Sequence, residues 1–266
     1  MPSASVYAQP RVIRHLKDCK FYHTVDIPGY GCLKGGIDLR RSARDYLGHV
    51  EVRGKRVLEI GTASGFLCFY MERQGAEVIA YDLAEDQSWD MVPFARCDSP
   101  RRVAARNAVM RKFRNAFWFC HRAFHSRAKM VYGTAYAVPE AIGPVEITTF
   151  GSVLIHLRDP FLALQSALRL TRETVIITNP IVPHRRQLQL LGRFVGPYML
   201  FLPRPQACEP LDTWWELTPE TVQRFLEVLG FEKTRVTYHT QKLSGRPQPF
   251  YTLVGWRTRR TYHAGL

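Results

Sequence analysis

Gly61, Ala63 and Gly65, set between Glu59 and Asp82, carry the clearest chemical signature in the chain. Arg56-Val57-Leu58-Glu59-Ile60 is short and mostly apolar, the pattern of a buried parallel strand. Gly61-Thr62-Ala63-Ser64-Gly65 then turns the chain, and Phe66, Leu67, Phe69, Tyr70 and Met71 begin an apolar helix. Gln74-Gly75-Ala76 ends that helix, and Glu77-Val78-Ile79-Ala80-Tyr81-Asp82 reads as a second strand. A strand, a tight turn, a helix and an acidic residue closing the next strand form the layout of a nucleoside-binding α/β site. The first N–H groups of the helix favour an anion. A carboxylate at Asp82 would accept hydrogen bonds from both hydroxyls of a ribose.

The glycine spacing selects among cofactors. A dinucleotide fingerprint needs glycines at 61, 63 and 66, and this chain has Ala63 and Phe66 there. The methyltransferase pattern, acidic-x-Gly-x-Gly-x-Gly, needs glycines at 61, 63 and 65; two are present, together with Glu59. The expected cofactor is therefore S-adenosylmethionine (SAM), held by Glu59, Gly61, Thr62, Ala63, Ser64, Gly65, Asp82 and Leu83. Thr134 and Ala135 are expected beside the adenine, and Ser152 near the methionine portion. An ordinary β-α-β unit with a tight turn is the bland alternative.

Methyl transfer from a sulfonium is an in-line displacement. It needs donor and acceptor held collinear in a dry pocket, and a base only when the acceptor loses a proton. His156 is one candidate for that base, or else a histidine bonded to backbone that orders a turn. His23 either closes over the site or serves the surface. His121 and His125, one helical turn apart, either contact the acceptor or pair on a metal, but spacing supplies no third ligand, and no metal is expected. Asp38 and Arg40 either contact a ligand or pair with each other.

The surrounding elements follow from hydrophobic periodicity and turn residues. A short amphipathic helix is expected over Arg11 to Lys20, a loop-rich stretch around Pro28-Gly29-Tyr30-Gly31 and Gly35-Gly36, and a helix from Ser42 to Gly48. Basic helical sequence runs from Arg101 to about Ser126. Strands are expected at 129–132, 145–150 and 173–178, with a helix from Pro160 to Leu170. Thr218-Pro219-Glu220 starts a helix that Gly230 stops, and two last strands, 231–238 and 251–256, are joined by a polar Gly/Pro loop. Residues 180–215 break the alternation and read as a cap over the site, or as an extra core hairpin or helix. The expected organisation is an N-terminal helical and loop segment over 1–50, a catalytic α/β domain over 51–256 with the cap as an insertion, and a tail over 257–266. The fold class is α/β, Rossmann-like, with a seven-stranded, mostly parallel sheet ending in an antiparallel hairpin.

Composition narrows the setting. No run approaches the ~20 apolar residues of a membrane span. Met1-Pro2-Ser3-Ala4-Ser5 lacks a basic-then-apolar leader. The six cysteines show no C-x-x-C spacing, which points away from a zinc site or a disulfide scaffold and toward a cytoplasmic chain with reduced thiols. The net charge of +14 is concentrated in acid-free stretches, 99–139 and 179–208. The basic segments 101–129 and 184–204 are either an electrostatic footprint for RNA or solvated helix faces.

Taken together, these segments resemble a class I SAM-dependent methyltransferase, and more narrowly the tRNA uridine-34 wobble-base enzymes that transfer carboxymethyl or methyl groups. The resemblance rests on residues 21–28 with 36–40, on Ile60 to Phe66 with Met71-Glu72-Arg73, on Gly151 to Pro160, and on Trp214-Trp215 through Phe231. It covers most of 21–256 and implies SAM as cofactor. Two departures matter. Ile155 stands where the RNA enzyme has a tyrosine, and Tyr251 where it has an arginine, so the cation and hydroxyl that a carboxylated cofactor needs are missing. Ordinary SAM and plain methyl transfer to a small-molecule acceptor are therefore expected. Transfer to RNA and a catalytically silent scaffold are the alternatives.

Overall fold

The carboxyl edge of one large sheet gathers the chemistry-bearing residues. In this computed structural model, which describes residues 5–87, 90–97, 99–181 and 196–258, the sheet is built around β4 (Arg56–Ile60). Parallel neighbours β5 (Glu77–Asp82) and β7 (Val145–Gly151) flank it, with β6 (Lys129–Tyr132) beyond β5 and β8 (Thr171–Pro180) beyond β7. β12 (Arg246–Trp256) pairs antiparallel with β8, and β11 (Lys233–Leu243) with β12. In register, Ile60 lies opposite both Tyr81 and Phe150, so the segments that follow β4, β5 and β7 leave the sheet side by side. Ligands of open α/β sheets bind at that edge.

The strands alternate their apolar residues between two cores, as a period of two requires. Val57, Val78, Ala80, Met130 and Ile147 face helices α2 (Phe66–Arg73) and α3 (Ser99–Ala123). Leu58, Ile79, Val131, Val175 and Ile177 face α4 (Pro160–Leu168) and α5 (Pro219–Val228). The helix starts follow their sequence signals. Asp159 accepts from Leu162 N at 2.9 Å with Pro160 beginning α4, and Thr218 accepts from Thr221 N at 3.3 Å with Pro219 beginning α5.

Four expectations need correction. The sheet has eight strands rather than seven, because β3 (Ile37–Asp38) adds to the outer edge of β11. The terminal hairpin is longer than expected: β11 and β12 pair from Lys233↔Trp256 to Leu243↔Arg246, absorbing the supposed polar loop. Pro247 and Pro249 are tolerated because β12's pairing with β8 begins only at Phe250, leaving the proline stretch with β11 as its one strand neighbour. The expected helix over 11–20 shrinks to one 3-10 turn, Leu16–Asp18. Instead the N-terminal segment bonds outward, Ala8 N to Met130 O at 2.8 Å and Lys20 N to Lys112 O at 3.1 Å. The stretch read as loop around residue 30 holds a short hairpin, β1 (Val25–Ile27) with β2 (Gly31–Leu33). The expected helix before β4 is present as α1 (Ala43–Tyr46).

The segment 180–215, expected as a cap or as an extra core hairpin or helix, is described in part; residues 182–195 lie outside the described residues, and with them Arg185, Arg186 and Arg193. The remainder carries a two-stranded hairpin, β9 (Met199–Phe201) with β10 (Trp215–Leu217), and a strap over 202–214 between them. The strap is fastened to the loop after β5: Val92 N donates to Leu211 O at 2.8 Å, Trp214 Nε1 donates to Asp90 O at 2.6 Å, and Cys97 and Cys208 form a disulfide. That bond corrects the expectation of uniformly reduced thiols. Its partners stand 111 residues apart, so no local spacing rule could show them.

Candidate cofactor pocket and active site

The turn after β4 is shaped by two left-handed glycines. Gly61 has φ +79°, and a Cβ there would fall inside the Val153 side chain. Gly65 has φ +87°, and a Cβ there would sit 2.7 Å from Phe117 as well as against Phe69. Ala63 also takes a positive φ, +49°. This unusual backbone is held by Asp82, whose Oδ2 accepts from Ala63 N and whose Oδ1 accepts from Leu83 N, both at 2.7 Å. Burial pushes the Asp82 carboxyl up, opposed by those two backbone bonds and by Arg114.

A cavity of about 560 Å³ opens above this turn, a size typical of small-molecule sites. Gly61, Ala63, Asp82, Leu83, Thr134, Ala135, Ser152 and His156 all line it. Tyr81 bridges the adjacent loop, its hydroxyl donating to Thr134 O at 2.8 Å. Ser152, at φ +58°, shares a 2.9 Å hydrogen bond with the buried Tyr46 hydroxyl.

Four expected ligand residues lie behind the wall. Glu59 is buried beneath the turn and accepts from Thr62 Oγ1 at 2.7 Å. Burial first, and Asp82 last, push its pKa up to about 7 against the pull of Thr62. Ser64 Oγ accepts from Tyr22 N at 3.1 Å and His23 N at 3.5 Å, clasping the N-terminal segment to the turn. Gly65 lets α2 approach α3. These residues shape the site from below.

The two histidines part company. His156 lines the cavity, and its Nδ1 meets the Asp212 carbonyl oxygen of the strap. A carbonyl can only accept, so Nδ1 carries the proton and Nε2 is the acceptor nitrogen. Burial, then the charge of Arg106, lowers the His156 pKa to about 4, so the ring is neutral near pH 7. His23 does not line the cavity. It is buried between Tyr22 and Phe66, with centroids at 4.8 and 5.6 Å, and burial lowers its pKa to about 3. His121 is packed against Trp118, and its Nε2 lies 3.0 Å from Ala128 O. Among the described residues no group of three metal-ligating side chains occurs. Arg40 pairs with Asp38 at 2.7 Å and Asp26 at 2.8 Å, the internal outcome.

Sequence reasoning did not single out several wall residues: Tyr22, Gln87, Asp90, Met110, Phe113 and Tyr136. Met110 and Phe113 carry no motif, Tyr22 belongs to the 21–28 likeness without a role of its own there, and only the fold brings the three over the turn. Asp90 accepts from Tyr136 Oη and, at 2.9 Å, from Arg158 N, closing the cavity's rim.

A scan against protein-family models finds no match, and no curated protein matches the chain. Solved structures do. The N-terminal domain of EvdMO1, crystallised in the presence of SAH and D-fucose, is 17% identical with a TM-score of 0.52, covering 91% of this chain and 92% of that one. The chain has the Rossmann-like methyltransferase fold. Magnesium protoporphyrin IX methyltransferase (ChlM) from Synechocystis PCC 6803 with bound SAH is 12% identical, TM-score 0.46, covering 81% of this chain and 80% of that one. Burkholderia thailandensis 1,6-didemethyltoxoflavin-N1-methyltransferase is 15% identical, TM-score 0.46, covering 82% and 78%. No helix among the described residues is long and apolar enough to cross a membrane.

Proposed function

We propose that this protein is a SAM-dependent methyltransferase acting on a small-molecule acceptor. The observation that carries the reading is the convergence on one cavity of the glycine turn, the Asp82 carboxylate that braces it, and Thr134, Ser152 and His156. The donor set suits the cofactor. Each Asp82 oxygen accepts one backbone N–H and keeps a second lone-pair site for a ribose hydroxyl. Gln87 Oε1, buried at the cavity wall, has no hydrogen-bond partner among the described residues and is an acceptor for an adenine amino group. Tyr251, at the position that would carry a cation for a carboxylated cofactor, points its hydroxyl to Leu217 O at 3.0 Å, in keeping with plain SAM.

Bound SAM supplies an activated methyl: the sulfonium C–S bond breaks with its electron pair left on sulfur as the acceptor's lone pair forms the new bond to carbon. The chain's own part is to orient and dehydrate, with Tyr22, Met110 and Phe113 forming apolar wall. Where the acceptor carries a proton, His156 Nε2 takes it, a role open to a neutral imidazole and not to His23 behind the wall. The test is calorimetry with S-adenosylhomocysteine (SAH). Saturable binding is expected, and Asp82→Ala should weaken it at least tenfold, since a hydrogen bond to a charged group contributes about 1.5–3 kcal/mol. No binding, or full affinity in the variant, would overturn the cofactor assignment. Methyl-labelled SAM in cell extract then separates the acceptors: label that ribonuclease removes would favour the wobble-uridine likeness, and no label would favour a silent scaffold.

A further inference from the structure

A second cavity of about 520 Å³ lies between the N-terminal half of α3 and the strap. It adjoins the cofactor pocket. Asp90 lines one cavity and Met91 the other, and the same holds for Met110 and Val109, and for His156 and Asp212, which touch. Its floor is apolar, from Met91, Val109 and Leu211, and its rim carries three guanidinium groups, those of Arg102, Arg106 and Arg204. Two carboxylates face them. Asp212 is already committed to Arg106, and Glu209 is exposed. Arg102 is held in place, donating to Cys208 O at 3.3 Å beside the disulfide that joins the strap to the loop after β5. Among the described residues the strap lines this groove and not the cofactor pocket.

We propose that this groove binds the methyl acceptor, and that Arg102 and Arg204 select a small amphiphilic acid, with its carboxylate at the rim and its hydrocarbon body on the floor. The inference rests on the methyltransferase reading and names the substrate class of that site. Arginine suits the role because its fork bonds a carboxylate with two parallel N–H groups. A carboxylate clamped there is not the nucleophile. It fixes the far end of the acceptor, whose opposite end reaches past the shared boundary into the cofactor pocket that His156 lines.

The experiment compares naphthalene-2-carboxylate with the uncharged naphthalene-2-carboxamide, using SAH-loaded full-length protein and ligand-observed NMR titration. The acid should bind at least tenfold tighter than the amide. In Arg102→Gln/Arg204→Gln the preference should fall below threefold, with SAH affinity unchanged. Arg204→Gln alone, at an exposed position, should cut the preference at least threefold and keeps the test decisive if the double variant fails to fold. Equal binding of acid and amide, or a preference that survives both variants, would overturn the proposal. So would displacement of the acid by a twelve-nucleotide uridine oligomer, which would make the arginines a nucleic-acid surface. If SAH itself does not bind, the cofactor reading fails separately, and the acid–amide comparison, run on the protein alone, then decides only whether the groove selects an acid.

Discussion

Glu59 shows how one buried side chain gives the whole site a pH signature. Its carboxyl ionises near 7 in the folded protein against an ordinary value of 4.5. Between those values the folded chain keeps a proton that the unfolded chain has released, so this group's contribution to stability declines as pH rises through that window. Glu59→Gln removes the ionisation while leaving an oxygen to accept from Thr62. Thermal melts of the two proteins should diverge in the variant's favour from pH 5 to pH 8, by about 3 kcal/mol at most. Parallel curves would show that Glu59 ionises normally. The residues of the glycine turn and the strand ends that line the cavity were legible at this scale because each sits at a fixed offset from a strand end. Glycine spacing, a terminal acid and short polar turns are local signals, and the register of β4, β5 and β7 converts those offsets into proximity. The offsets could not tell wall from support. Glu59, Thr62 and Ser64 belong to the same motif as Gly61 and Ala63 but bond beneath the turn, as alternation of side chains along a strand and turn demands.

At the scale of elements, the parallel strands were plain from their apolar runs, and α5 from its cap and its stop. α3 was harder to read. Its sequence is basic from end to end, yet its C-terminal half buries Phe113, Phe117, Trp118 and Phe119 under the sheet while Arg101, Arg111 and Arg122 stay exposed. Arg114 is buried as well, with Nη1 donating to Leu83 O at 3.2 Å. Charge density therefore hid a core helix, and the aromatic residues were the better guide. Phe117 is fully buried, meets Phe69 in a tilted ring contact with centroids 5.2 Å apart, and lies against Gly65. Phe117→Ala should cost about 3–5 kcal/mol in denaturant unfolding. It should also loosen SAH binding, because the cavity it leaves adjoins the glycine turn. A loss under 1 kcal/mol would show that α3 packs more loosely than its burial indicates. The strap escaped the sequence reading for the opposite reason. Its bonds reach across the fold to partners such as Asp90 and Ile155, which no window of neighbouring residues contains.

Across the whole molecule, the strap and the loop after β5 frame the second groove and brace the rim of the first cavity. Their disulfide also has a topological effect. Joining Cys97 to Cys208 turns the chain between them, which carries β6, β7, α4 and β8, into a closed covalent ring, while the glycine turn and the terminal hairpin hang from it as two arms. Arg185, Arg186 and Arg193 are trypsin sites within that ring. A single cut after any of them should add one water to the mass and leave one particle on a denaturing gel, and reductant should then release two fragments. Two fragments without reductant would mean that the ring is open in solution. A closed ring makes this molecule tolerant of backbone scission at these arginines, so its survival under proteolysis would report the state of two sulfur atoms rather than the integrity of the peptide chain.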